Sequence, residues 1–116
     1  MSIVLPWPPS ANKYWRYVGG RVLVSQEAKD YKSIVYGIFL ESKLKTIHSR
    51  ISVCIYLYPP DKRKFDIDNR IKVLADALEY AGFFENDSQI DKLYVERRES
   101  KTGGEVCVTI SQIEKI

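Results

Sequence analysis

Between Ile51 and Leu78 the apolar pattern changes period, and that change limits the folds open to this 116-residue chain. Ile51, Val53, Ile55 and Leu57 alternate with Ser52, Cys54, Tyr56 and Tyr58, which predicts a strand closed by Pro59-Pro60. Ile67, Ile71, Leu74, Ala75 and Leu78 then recur at helical spacing. They predict a helix from about Asn69 to Tyr80, with Gly82 as its terminator. Acids stand where strand gives way to helix. Asp66 and Asp68 follow the charged run Asp61-Lys62-Arg63-Lys64, Lys72 lies one turn on, and Asp87 follows in the turn after the helix.

The flanking segments complete the outline. Ser2 to Leu5 reads as a strand stopped by Pro6-Trp7-Pro8-Pro9, because proline removes ladder donors and fixes φ. Residues 10 to 21 read as an ordered loop, and Val22 to Val24 as a short strand. Ser25 is a suitable N-cap for a helix from about Gln26 to Leu44, with Tyr31, Ile34, Val35, Ile38 and Phe39 at helical spacing and Gly37 as a weak point. Phe83 and Phe84 are expected in the core. Ile90 to Arg98 reads as a strand, Lys101-Thr102-Gly103-Gly104 as a hairpin loop, and Val106, Val108 and Ile110 as the inward face of a last strand. The expected fold is α+β: one domain over residues 1–116, a mixed β-sheet with two helices packed on one face.

Composition removes several function classes. The chain is 45% hydrophobic with eight Tyr, four Phe and two Trp, enough for a real core. At this size much surface stays exposed, so a dimer is reasonable. A net charge of +3 permits a nucleic-acid partner without requiring one. Cys54 and Cys107 form no metal-binding motif and read as free thiols. With His48 as the single histidine, a His-rich metal site or a Ser-His-Asp triad is improbable. No apolar run approaches ~20 residues. A soluble, cytoplasmic protein with no membrane association is expected.

The aspartates carry the chemistry. Gathered to about 6 Å, each pair of carboxylates repels by roughly 3 kcal/mol at an effective dielectric near 20. Lys72 offsets only part of that. A hard, oxygen-seeking cation such as Mg²⁺ is the natural complement, and it points to phosphate chemistry. Asp66 and Asp68 point the same way only in extended chain; in a helix they diverge by about 200°. If both face one ion, regular helix must begin at or after Asp68. Plainer roles stay open: Asp68 as a helix cap, Asp68 with Lys72 as a surface i, i+4 pair, Asp87 as a turn residue.

A wider pattern surrounds these residues. Leu5-Pro6-Trp7-Pro8-Pro9-Ser10, then Asn12, Tyr14 and Arg16, Asp66-Ile67-Asp68-Asn69 with Lys72, Asp76-Ala77-Leu78, Ala81-Gly82-Phe83 and Asn86-Asp87-Ser88-Gln89-Ile90 occur in that order. The ensemble resembles the RusA family, Holliday-junction resolvases of bacteria and their phages, over nearly the whole chain. The resemblance implies a homodimeric, Mg²⁺-dependent endonuclease for four-way branched DNA, with Mn²⁺ able to substitute. It puts the metal ligands on Asp66, Asp68 and Asp87 and the catalytic lysine on Lys72. Family members often carry two acids before the Ser/Ala-Gln pair; here the first position is Asn86.

Around that core, Asn69 is a candidate to orient a carboxylate, and Asp76 a candidate partner for Lys72. Lys13, Arg16, Arg21, Lys62, Arg63 and Lys64 are the candidate DNA contacts, with Arg97, Arg98 and Lys101 weaker. Trp7, Tyr14 and Trp15 suit either packing or stacking at a branch point. Competing functions are a nuclease for flaps or forks, a junction-binding module that does not cleave, and a small interaction protein.

Overall fold

The computed structural model describes residues 1–10 and 15–113, and of residues 15–18 and 21–24 the backbone alone. Two compact units are present. The first comprises Met1–Trp7, Thr46–Lys64 and Phe84–Ile116; the second comprises Pro8–Lys45 and Phe65–Phe83. In chain order the elements are β1 (Ser2–Pro6), β2 (Trp15–Val18), β3 (Arg21–Val24), α1 (Gln26–Glu41), β4 (Ile51–Tyr58), α2 (Ile67–Ala81), a 3₁₀ turn (Asp87–Gln89), β5 (Ile90–Arg97) and β6 (Glu105–Gln112). A mixed four-stranded sheet and two helices make the fold α+β, as expected. Among the described residues no helix is long and apolar enough to cross a membrane.

The sheet belongs to the first unit and has the order β1-β6-β4-β5. β4 runs parallel to β5 and antiparallel to β6, and β1 is antiparallel to β6. The alternation along β4 is realised residue by residue: Ile51, Val53, Ile55 and Leu57 are buried and the residues between them half-buried. Register lines up Leu5, Val106 and Leu57 across three strands, all buried. Burial of each such side chain contributes roughly 1.5–3 kcal/mol.

The expected hairpin between the last two strands does not form. β4 lies between β5 and β6, and the connection crosses the end of β4, where Arg98 N–H donates to the Leu57 carbonyl and Lys101 N–H to the Pro59 carbonyl, both at 2.8 Å. The Lys101-Thr102-Gly103-Gly104 turn does form, with Gly104 N–H donating to the Lys101 carbonyl at 2.8 Å. Turn chemistry reports a reversal of direction, not which strands end up adjacent.

The second unit holds both helices and a hairpin in a stretch where the sequence predicts mostly loop. β2 pairs with β3, Trp15 opposite Val24 and Val18 opposite Arg21. Gly19 and Gly20 join them at φ 55° and 78°, the double positive φ that a two-residue primed turn requires. Ser25 caps α1 by accepting from Ala28 N–H at 3.2 Å. The helix stops at Glu41, three residues before the expected end, because Ser42 folds its hydroxyl onto the Ile38 carbonyl and Lys43 takes φ 55°. Gly82, at φ 101°, terminates α2 as expected. Phe39 of α1 packs on Phe83, ring centroids 4.8 Å apart.

Gly104 has φ +71°, and a Cβ there would stand 3.0 Å from Pro60 Cδ and from the Trp7 Cβ. Gly103 has φ +84° but nothing within 4 Å. Gly103→Ala should therefore lose only the backbone term, about 1–2 kcal/mol, while Gly104→Ala adds an overpacking cost of about 1–3 kcal/mol. Urea unfolding of the two variants checks this; equal midpoints would refute the crossing geometry.

Candidate active site

α2 begins one residue earlier than two carboxylates facing one ion were expected to allow. Asp66 is its N-cap and remains extended, at φ −91° and ψ 132°, so regular helix starts at Ile67 and Asp68 sits in the first turn. The cap position belongs to Asp66 rather than Asp68, and the Asp66 carboxylate accepts no helix N–H. Instead Asn69 Nδ2 donates to Asp66 Oδ2 at 3.4 Å. Asp68 is exposed and makes no hydrogen bond or ion pair among the described residues.

The rotation of α2 about its axis explains these exposures. Its buried residues are Val73, Leu74, Ala77, Leu78 and Ala81. Ile67, Ile71 and Ala75, expected in the buried stripe, are only half-buried. At 100° per residue the buried arc is turned by roughly 70° from the expected one. Asp68 and Lys72 then lie about 150–170° from its centre. Lys72 Nζ reaches Asp76 Oδ1 at 3.3 Å, with the lysine side chain 61% exposed and the aspartate 21%. The same turn carries Arg70, which is not among the sequence candidates, into the buried arc. Arg70 Nη1 donates to the Pro8 carbonyl at 2.7 Å, and desolvation pulls its guanidinium below the ordinary arginine range. A signal for it exists in the sequence: Arg70 stands three residues before Val73 and four before Leu74.

Asp87 opens the 3₁₀ turn of the first unit and is exposed. That turn is held by a buried amide, Gln89, which also has no place among the sequence candidates. Its Oε1 accepts from Glu85 N–H at 2.8 Å and Asn86 N–H at 2.9 Å. Its Nε2 donates to the Ile47 carbonyl at 3.0 Å and the Ser49 carbonyl at 2.8 Å. Arg50 Nη2 adds a bond to the Ser88 carbonyl at 2.7 Å and Nε one to Asp91 at 2.9 Å. Asn86, the departure from the family pattern, is the N-cap: its Oδ1 accepts from Ser88 N–H at 2.8 Å. Aspartate makes the same cap, so the turn does not depend on which of the two stands there.

Asp66, Asp68 and Lys72 thus stand at the start of α2 in the second unit, and Asp87 on a turn of the first. Among the described residues no three His, Cys, Asp or Glu side chains are gathered as a metal cage. The donor chemistry at the start of α2 nonetheless suits a hard divalent cation. Both carboxylates are exposed, neither accepts a helix N–H, and Mg²⁺ commonly takes one or two carboxylates plus water and substrate phosphates rather than an all-protein shell.

The basic candidates fare differently. Lys62 and Lys64 are exposed. Arg63 folds back on Asp61, its Nη2 at 2.8 Å from Oδ2, and holds that carboxyl below the ordinary aspartate range. Arg98 pairs with Glu96 at 2.6 Å and stacks over Tyr56; Lys101 pairs with Glu105 at 3.2 Å and lies over Tyr58. Arg16 and Arg21 fall on β2 and β3, opposite Leu23 and Val18. Lys13 and Tyr14 lie outside the described residues.

An α+β protein with paired acids and a lysine at a helix start is of the kind that handles phosphate esters with a metal. The chain matches the model of the family described as Endodeoxyribonuclease RusA over residues 6–111. It is 37% identical over 116 residues to the crossover junction endodeoxyribonuclease of Enterobacteria phage HK97, covering 99% of this chain and 97% of that one. Identity is 36% over 113 residues to the enzyme of the same name from Escherichia coli K12, with 97% and 94% covered. It is again 36%, over 112 residues, to that of Enterobacteria phage 82, with 96% and 93% covered. The chain belongs to the RusA family of endodeoxyribonucleases, a class that implies a divalent metal and branched DNA.

If Asn86 serves as a cap, Asn86→Ala should lower stability by about 1 kcal/mol and Asn86→Asp should leave it unchanged. Thermal unfolding decides; an equal loss in both variants would contradict the assignment.

Proposed function

We propose that this chain is a Mg²⁺-dependent, structure-selective endodeoxyribonuclease that resolves four-way DNA junctions as a homodimer, one site per subunit. The observation that carries the reading is Asp66, extended and uncommitted to capping, with Asp68 and Lys72 on the exposed arc of the helix it opens. Asp66 and Asp68 would hold the ion, and the family resemblance implies Asp87 as a third ligand. When bound there, Mg²⁺ makes a water nucleophilic at neutral pH and stabilises charge on the leaving oxygen. Mn²⁺ meets the same oxygen donors and would substitute.

The remaining roles belong to the side chains. Asn69 holds one Asp66 oxygen in place through its amide, leaving the other for a ligand. Lys72 supplies positive charge to the phosphate in the transition state, and Asp76 keeps its ammonium on the exposed arc until DNA arrives. Lys62 and Lys64 offer phosphate contacts just ahead of the acids. A four-way junction has approximate two-fold symmetry, which a C2 dimer matches with two opposed cuts.

Asp68→Asn should bind a junction with wild-type affinity while its cleavage in Mg²⁺ drops at least about a hundredfold, and Lys72→Ala should lower kcat by about 10²–10³ with little change in KM. Single-turnover cleavage beside a binding titration separates the two quantities. Near wild-type cleavage by Asp68→Asn would remove the metal assignment.

A further inference from the structure

Away from the start of α2, a second surface joins α1 to α2 inside the second unit. Lys29, Lys32, Ser33 and Tyr80 line an open cavity of about 310 Å³. Lys29, Lys32, Ser33 and Tyr36 follow i, i+3, i+4, i+7 spacing and so share one face of α1. Tyr80 is 59% exposed and Tyr36 44%. Their rings meet edge to face at 6.2 Å, and Lys32 Nζ stands 5.9 Å from the Tyr80 centroid. Lys29 is exposed and forms no ion pair among the described residues. Its neighbour Asp30 is engaged elsewhere, accepting from Gln26 Nε2 at 2.7 Å.

Two ammonium groups beside an exposed phenol ring form the complement of a sugar-phosphate backbone. The cations take successive phosphates, and the ring takes the apolar face of a sugar or base. An acidic peptide would use the cations but gain little from the exposed ring beside them. Position supports DNA as well. Tyr80 lies twelve residues after Asp68 on the same helix, about 18 Å along its axis at 1.5 Å per residue and about 120° around it. That span is about five nucleotides at 3.4 Å each.

We propose that Lys29, Lys32 and Tyr80 form a second DNA-binding surface, which grips the backbone of one junction arm about five nucleotides from the phosphate that is cut. The inference rests on the proposed function for its choice of substrate. It adds a rotational constraint: a duplex arm held at both ends of α2 has one orientation relative to the acids.

Fluorescence anisotropy of an intact four-way junction in EDTA, titrated across a salt series, tests it. Lys29→Ala/Lys32→Ala should flatten the slope of log K against log salt by about 1.8, or 0.9 for each phosphate that is no longer neutralised. Lys29→Arg/Lys32→Arg should keep the wild-type slope. Alanine favours helix at both positions, so α1 is retained. A wild-type slope in the alanine pair would overturn the proposal, and so would a flattened slope in the arginine pair. A wild-type protein that neither binds nor cuts the junction would instead overturn the proposed function, an outcome read before any variant is compared.

Discussion

The burial of Val73, Leu74, Ala77, Leu78 and Ala81 sets the rotation of α2, and every functional role on that helix depends on it. Two fully buried leucines alone contribute roughly 3–6 kcal/mol, far more than the few tenths of a kcal/mol that a surface Lys72–Asp76 pair adds. Apolar packing therefore decides which way the charged side chains face, and the ion pair adapts to it. Given that rotation, Asp68 and Lys72 cannot be drawn into the core. Arg70 is carried to its edge, half-buried, where Nη1 donates to the Pro8 carbonyl. The segment that opens the second unit is tied in this way to the helix that carries the acids.

Asp87 is placed by the opposite strategy. Its turn has little apolar content of its own, and Asn86, Asp87 and Ser88 are all exposed. What fixes it is Gln89, whose side chain meets four backbone groups, those of residues 85 and 86 beside it and those of residues 47 and 49. A buried amide with its hydrogen bonds satisfied is a rigid anchor, and one left without them costs about 1–3 kcal/mol per orphaned group. Asn86 becomes intelligible in this setting. The position asks for a capping oxygen, and an amide supplies it as well as a carboxylate does.

Much of the fold is legible in the sequence because period and punctuation are local. The alternation through Ile51–Leu57, the stop at Pro59-Pro60, the Ser25 cap and the Gly82 terminator all follow from residues within a few positions of each other. Strand adjacency does not. Lys101-Thr102-Gly103-Gly104 announces a turn, yet only the pairing of β6 with β4 shows that the turn crosses a strand. The rotation of α2 is hidden for a related reason. Leu74 and Leu78 belong to both the expected and the buried stripe, but Val73, Ala77 and Ala81 complete the buried one where Ile67, Ile71 and Ala75 were expected. At the site, residue types propose Asp66, Asp68, Lys72 and Asp87 as a set, and family resemblance proposes their roles. Gln89 and Arg70 are harder to find because a buried polar side chain is recognised by its partners, and theirs include Ser49 and Pro8, 40 and 62 residues away in sequence.

Chemistry and substrate shape are separable demands on a molecule of this size. On the proposed reading the first is met by a few carboxylate oxygens and one ammonium at a helix start, and the second by cations spread along the same helix pair and by symmetry between two copies. A protein built this way should distinguish DNA by its branching. The most direct measurement is strand cleavage of a synthetic four-way junction beside a fork and a linear duplex of the same sequence, with and without Mg²⁺. The account predicts paired, symmetrical nicks in the four-way junction alone, and only with the metal. Equal cleavage of the linear duplex, or cleavage unaffected by removing the metal, would contradict it.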